Sequence, residues 1–355
     1  MTPRPLAGRR IVDLSQYIAG PACAQVLADF GADVIKVEPL AGDPSRSLGD
    51  TGLGSVYFRQ YNTGKRSIRL DLAGEEGRAA LAVLLADADA VVMNFAARTR
   101  RKLGLDWERL HRDHPELVVV CITAYGIDDD RTALDSVVQA QSGFAMLNAD
   151  EHGEPRISGG YPTDVFSGLY GGLSAAMALL DPARSGGVLI DVPMIEVAMT
   201  ALAGTAVLAA AGGAAPAPGR GNRDLATAPS TVFDCEDGRV YIYAGLDKHW
   251  ELLRHAVGGP AATAAERLAD PERFEAAVQS WTARRSVDEV LEETARLGIA
   301  AAPVARVEDA LAALQRVRPG AVVRSDDRGI PVPQFPVTFS GERIARTDAP
   351  AEETP

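Results

Sequence analysis

The sequence predicts an α/β chain, with a doubly wound parallel sheet in a large N-terminal domain and a smaller α+β domain after it. Three observations lead there. Short β-branched runs alternate with amphipathic helical patterns as far as Ala211, the alternation from which parallel sheets are built. A stretch rich in Gly and Pro, Gly212–Asn222, then breaks it. Finally, 355 residues of which 46% are hydrophobic exceed what a single core normally holds.

The elements follow in order. Arg10–Leu14, Asp33–Val37, Ala90–Met93 and Leu117–Thr123 have the length and branched composition of buried strands. Pro21–Phe30, Glu75–Ala86 and Trp107–His114 carry helical periodicity between them. Thr163–Leu180 and Met194–Ala211 are longer helix candidates whose Gly and Ala allow close packing, with a strand at Val188–Val192 between them. Beyond the connector, Thr231–Asp234 and Arg239–Tyr243 flank Cys235–Gly238 as a hairpin, and helices are expected at Lys248–Ala256, Pro271–Trp281 and Val287–Leu297. This gives a large domain over 1–212, a linker over 213–228, a small domain over 229–320, and a segment over 321–355 that returns to the large domain. Its end, Ala349–Pro355, is acidic and too poor in apolar residues to pack.

Composition narrows the function. With 36 Lys and Arg against 48 Asp and Glu, the net charge of -12 opposes nonspecific binding to nucleic acid or anionic membrane. An anionic ligand therefore needs a local concentration of cations. Cys23, Cys121 and Cys235 are odd in number and form no C-x-x-C pair, which fits reduced thiols and a cytoplasmic location. No secretory segment follows the N-terminus, and Val197–Ala211 is too short and too rich in small residues for a membrane span.

Familiar catalytic signatures are missing: H-E-x-x-H, G-x-S-x-G and G-x-G-x-x-G do not occur. Gly64-Lys65-Arg66-Ser67 has the end of a phosphate-binding loop, but Arg59 stands where that loop requires its first glycine. His111, His114, His152, His249 and His255 have no metal-ligand spacing, and no metal is expected. What remains is Ser158-Gly159-Gly160-Tyr161-Pro162-Thr163-Asp164 at a helix start. A glycine turn can hold such a carboxylate close to a ligand, and the helix N-terminus should keep it ionised at neutral pH. The alternative for Asp164 alone is an N-cap without chemistry.

The chain as a whole resembles the class III (CaiB/BaiF-type) CoA-transferases. The resemblance runs from about residue 8 to residue 340, through Val12–Gln25, Leu27–Pro39, Gly42–Arg46, Asn62–Asp71, Asn94-Phe95, Leu103–Leu105, Asp135–Gly143, the Asp164 turn, Gly221–Arg223 and Ala228-Pro229. It implies a Rossmann-like CoA-binding large domain, a small α+β domain, and an interlocked homodimer. It also implies that Asp164 is the nucleophile that carries acyl and then CoA between an acyl-CoA and a small carboxylic acid. Coenzyme A would be held by Gln16, Tyr17, Ile18, Ala19, Leu70, Asn94 and Phe95, with Lys102 as a basic contact. Arg46, Arg98 and Arg101 are added as phosphate-binding cations, with Arg100 in the same cluster. Gly159, Gly160 and Tyr161 belong beside the substrate, and Tyr161, Phe166 and Met194 are candidates to line the acyl pocket.

The sequence departs from the family pattern at Ala96-Ala97-Arg98, where relatives often have Arg-Pro-Gly, and at the acidic loop Ile127–Arg131. It also lacks the glycine-run loop found in some members. The alternative within the superfamily, an α-methylacyl-CoA racemase, has a histidine directly before the aspartate that matches Asp135; Leu134 stands there, without a second base for proton exchange. A noncatalytic CoA-binding scaffold is the alternative of a different class, and chemical modification at Asp164 separates it from an enzyme.

Overall fold

The computed structural model describes residues 4–49, 55–202, 204–213, 220–325 and 331–346. They fall into two compact units, one within Met1–Ala145, Ile157–Ala206 and Arg318–Pro355, the other within Met146–Arg156 and Val207–Val317. The central part of the expected connector, 214–219, and the expected tail, Ala349–Pro355, lie outside the described residues.

The first unit is built on β1 (Arg10–Asp13), α1 (Ala19–Asp29), β2 (Asp33–Glu38), α2 (Val56–Asn62), β3 (Arg66–Arg69), α3 (Glu75–Ala86), β4 (Ala90–Met93), α4 (Ala97–Leu103), α5 (Trp107–Asp113) and β5 (Val118–Thr123). Then come α6 (Asp135–Ser142), the short α7 (Phe144–Leu147), α8 (Pro162–Leu180), β6 (Val188–Pro193), α9 (Met194–Ala201) and α10 (Gly204–Ala210), of which α7 and α10 each run on into the second unit. The six strands pair in parallel in the order β3-β2-β1-β4-β5-β6. The expected Rossmann-like sheet is present. Ala-Val-Val-Met of β4 and Val-Val-Val-Cys-Ile-Thr of β5 are buried at every residue, as central parallel strands covered on both faces must be. β3 reads Arg-Ser-Ile-Arg, whose polar ends suit an edge strand and conceal it from a search for apolar runs.

One core, with Cys23 and Leu27 of α1, Ala175 and Leu179 of α8 and Val138 of α6, covers one face of the sheet. The other, with Leu81 and Leu85 of α3 and Leu110 of α5, covers the opposite face. α1 and α8 meet through glycine: a Cβ on Gly168 would stand 2.6 Å from Ala22 Cβ and 2.7 Å from the Ala19 carbonyl, and one on Gly172 would stand 2.8 Å from Val26 Cβ. That contact ties the helix carrying Asp164 to the loop after β1. The single helix expected over Met194–Ala211 is two, α9 and α10; the N–H of Leu202 turns back to Met199 O, and α10 opens on Gly204, a weak helix former. Phe30 meets Phe335 and Phe339 edge-on at 5.6 and 6.1 Å.

The second unit carries an antiparallel sheet of β7 (Ser230–Asp234), β8 (Arg239–Tyr243) and β9 (Ala300–Pro303). The hairpin turn closes with Cys235 N–H donating to Gly238 O at 2.8 Å. Trp250, Phe274, Val278, Trp281 and Val290, from three helices, pack on Val240 and Ile242. Among the described residues no helix is long and apolar enough to cross a membrane.

Candidate active site

In an open parallel sheet the strand order reverses once, and the loops leaving the two strands at that point diverge to leave a crevice at their C-terminal ends. Here the reversal lies between β1 and β4. A cleft of about 200 Å³ opens there, lined by Gln16, Tyr17 and Ala19 after β1, by Asn94 and Phe95 after β4, and by Asp164 at the start of α8. Asn94 fixes the two loops to each other: its Oδ1 accepts from Gln16 N–H at 3.0 Å and its Nδ2 donates to Gln16 O at 2.8 Å. The next residue, Tyr17, is held at φ 66°, a left-handed conformation that costs a bulky residue energy and persists only where its surroundings enforce it. Its N–H reaches Asp43 Oδ1 at 3.3 Å.

Beneath this loop lies a buried ionic network. Lys65 Nζ donates to Asp13 Oδ2 at 2.8 Å, to Pro21 O at 2.9 Å and to Asn62 Oδ1 at 2.9 Å. Lys36 Nζ stands 2.8 Å from Asp43 Oδ2 and donates to Ser15 O at 2.9 Å. Glu38 takes a bidentate pair from Arg46 at 2.6 and 2.7 Å, together with bonds from Ser67 Oγ and Asp43 N–H. Burial pushes Glu38 upward, but these donors outweigh it and hold the carboxyl at about 2. Burial draws Lys65 down to about 8 against the attraction of Asp13. The lysine of Gly64-Lys65 is therefore a structural cation under the sheet's C-terminal edge. Arg46, expected as a phosphate contact, is engaged by Glu38 and stacked 3.7 Å over Phe58.

Asp164 occupies the first turn of α8, behind Tyr161 at φ 52° and Pro162. Neither residue can cap the helix with its side chain. The cap comes from α6: Asp135 Oδ1 accepts from Thr163 N–H at 2.8 Å, Thr163 Oγ1 at 2.6 Å and Asp164 N–H at 3.2 Å, while Oδ2 accepts from Gln139 Nε2. This corrects the expectation that the helix start keeps Asp164 ionised. The donors there already serve another carboxylate, and burial together with the negative charge of Asp135 pushes Asp164 up to about 7. For the same reason those two amides are not available as oxyanion donors. Asp164 is instead a half-buried, basic carboxylate at the edge of the cleft.

The other sequence-selected residues distribute unevenly. Ile18 is buried at the N-cap of α1, and Leu70 packs on the core under α3. In α4, Arg98 and Lys102 are exposed, Arg101 pairs with Asp130 at 2.6 Å, and the buried Arg100 donates to the Phe95 and Ile127 carbonyls. Arg100 thus shapes the Asn94-Phe95 turn from within. Gly159 and Gly160 are exposed, and Tyr161 stacks edge-on with Tyr57 at 5.7 Å. Of the three residues named for the acyl pocket, Met194 lines the cleft, while Phe166 is exposed on α8. Sequence reasoning missed Arg131, which lines the cleft, pairs with Asp129 at 2.7 Å and lies 3.9 Å over the Tyr125 ring. The only signal was a single basic residue closing an acidic loop.

The family model described as CoA-transferase family III matches residues 6–354. A succinyl-CoA:mesaconate CoA-transferase of Haloarcula hispanica is 33% identical over 322 residues, covering 84% of this chain and 80% of the relative. A succinate–glutarate CoA-transferase of Agrobacterium fabrum is 34% identical over 283 residues, covering 76% and 69%. Among solved structures, a CAIB/BAIF family protein from Brucella suis aligns with a TM-score of 0.86 at 32% identity, covering 99% of this chain and 97% of that one.

Proposed function

The chain belongs to CoA-transferase family III, and on that premise we propose that it moves CoA between an acyl-CoA and a small carboxylic acid through covalent intermediates on Asp164. The observation that carries this reading is the place of Asp164: the residue lines the same cleft as Gln16, Tyr17, Asn94 and Phe95, at the reversal point of the sheet. Asp164 Oδ attacks the thioester carbonyl carbon, the C–S bond breaks, and CoA thiolate departs to leave a mixed anhydride. The thiolate then attacks Asp164 Cγ, releasing the donor acid and forming an aspartyl-CoA thioester. The incoming carboxylate attacks the same carbon, thiolate leaves again, and its return to the new acyl carbonyl yields the product acyl-CoA and free Asp164. No net proton is consumed. Splitting one transfer into successive acyl exchanges is the gain from a carboxylate nucleophile.

Gln16, Tyr17, Ile18, Ala19, Leu70, Asn94 and Phe95 are assigned to the pantetheine and adjoining parts of CoA. Arg98, Arg101 and Lys102 on α4 are assigned to its phosphates. Gly159, Gly160 and Tyr161 are assigned to the acyl side. Names of relatives refer to succinate, mesaconate and glutarate, so dicarboxylic acids are the first acceptors to try. The location is assigned to the cytoplasm. An apolar stripe on α8, with Leu169, Tyr170, Leu173 and Met177 each about half exposed, has the i, i+4 spacing of one helix face. It is assigned to contact with a second copy in an interlocked homodimer, which sedimentation should report as a stable dimer.

The test is direct trapping. The protein is incubated with succinyl-CoA, quenched with hydroxylamine, digested and analysed by mass spectrometry. A hydroxamate on the Asp164 peptide, absent in Asp164→Ala, is the expected result. A protein that turns over CoA esters with Asp164 unmodified would refute the assignment.

A further inference from the structure

Two carboxylates share the start of α8, and the reaction above uses only one. Asp135 is 2% exposed, and its carboxylate accepts bonds from Thr163 N–H, Thr163 Oγ1, Asp164 N–H and Gln139 Nε2. Those donors fix its position at the start of α8. It sits 29 residues upstream on a different helix, α6, so its partnership with Asp164 is a product of the fold. The other groups around Asp164 offer no neutralising charge among the described residues. Arg131 in the cleft is paired with Asp129, and Arg346 is bidentate to Asp29 at 2.7 Å and a shorter second contact. Tyr61 and Tyr161 bring no cation, and Tyr61 is itself pushed up by burial and by the charge of Asp164.

Resting on the reading of Asp164 as nucleophile, we propose that Asp135 is a positioning residue whose fixed charge favours acylation of Asp164. In the free enzyme the Asp135 carboxylate accepts from the N–H of Asp164 at 3.2 Å, so two carboxylates share one helix start. When Asp164 Oδ bonds to the acyl carbon and the C–S bond breaks, the negative charge leaves on sulfur and the side chain becomes a neutral anhydride. The repulsion is then relieved. The same holds for the neutral aspartyl-CoA thioester, so Asp135 stabilises both covalent states relative to the free enzyme. The bonds to the first amides of α8 serve the same end, because they deny Asp164 the donors that would otherwise stabilise its charge and blunt its basicity. The rise of Asp164 to about 7 agrees with this geometry.

The experiment follows acylation of the full-length protein by succinyl-CoA, reading covalent adduct on the Asp164 peptide by mass spectrometry from pH 5 to pH 9. Wild type should show an acid limb near 7, set by ionisation of the nucleophile. In Asp135→Asn that limb should move down by about one pH unit, so that at pH 6 acylation is about fivefold faster relative to its own plateau. The plateau amount of adduct should fall. Asp135→Ser, neutral and able to accept an amide bond through Oγ, should behave alike and serves if the asparagine variant does not fold. A merely structural Asp135 would lower amplitude and leave the limb in place. A folded neutral variant whose limb stays near 7 overturns the inference about Asp135 alone. No adduct in wild type, at any pH, overturns the nucleophile reading and this inference with it.

Discussion

Replacing Asp164 by an asparagine should stabilise the protein, and by an amount that depends on pH in a defined way. Burial and the charge of Asp135 raise the Asp164 carboxyl from 3.8 to about 7 in the folded chain. A carboxyl whose folded value is raised contributes stability below its unfolded value and loses it as pH climbs toward its folded value. The loss amounts to about 1.4 kcal/mol per pH unit over that interval and stops above about pH 7. The amide of the Asp164→Asn variant does not titrate. Its advantage over wild type should therefore grow by about 3 kcal/mol between pH 5 and pH 8, nearly all of it before pH 7. At roughly 2 °C per kcal/mol for a unit of this size, the difference in Tm should widen by about 6 °C. Differential scanning fluorimetry of both proteins across that range is the assay. A Tm difference that is constant with pH, or a wild type that is the more stable at pH 8, would refute the picture of a crowded, basic carboxylate.

Other consequences follow from the same geometry. Lys65→Met removes the partner 2.8 Å from Asp13 in a site with no exposure, so denaturant unfolding should show a loss of about 3–5 kcal/mol. Gly168→Val places a Cβ 2.6 Å from Ala22 Cβ and 2.7 Å from Ala19 O; it should cost about 1–3 kcal/mol and slow transfer by tilting the start of α8. Gly204→Ala meets nothing within 4 Å and should raise stability by about 0.5–1 kcal/mol. Asn94→Ala frees the Gln16 main chain held by bonds of 3.0 and 2.8 Å; steady-state kinetics should show KM for the CoA ester rising more than kcat falls, since the loop positions ligand more than it reacts.

What the sequence revealed follows from where its signals are local. Runs such as Val118–Thr123 announce a buried parallel strand because every residue must be apolar. β3, Arg66–Arg69, gave no such signal, since an edge strand tolerates arginine at both ends. α4 was visible as a cluster of cations but not as a helix; Arg100, counted there, faces inward to carbonyls of Phe95 and Ile127. Asp164 stands out in the sequence because a Gly-Gly-Tyr-Pro turn precedes it, yet nothing local to that turn sets its protonation. The charge that sets it belongs to Asp135, which reaches the same helix start only after folding. A clue was present in Tyr161-Pro162: neither can cap, so a helix starting there needs a carboxylate or hydroxyl from elsewhere. Likewise Arg46 has the motif of a phosphate contact, while Glu38, eight residues upstream in β2, holds it by two bonds.

The central claim is that an oxygen of Asp164 takes part in every turnover, and isotope transfer tests it most directly. With an acceptor acid labelled with ¹⁸O in its carboxylate, attack on the aspartyl thioester and return of thiolate to the new acyl carbon must leave a labelled oxygen on residue 164. After several turnovers, the peptide carrying Asp164 should be heavier by at least one ¹⁸O substitution, and the same peptide from an incubation lacking donor acyl-CoA should not. Continued product formation with that peptide unlabelled would mean that the acids exchange CoA without passing through the enzyme's carboxylate.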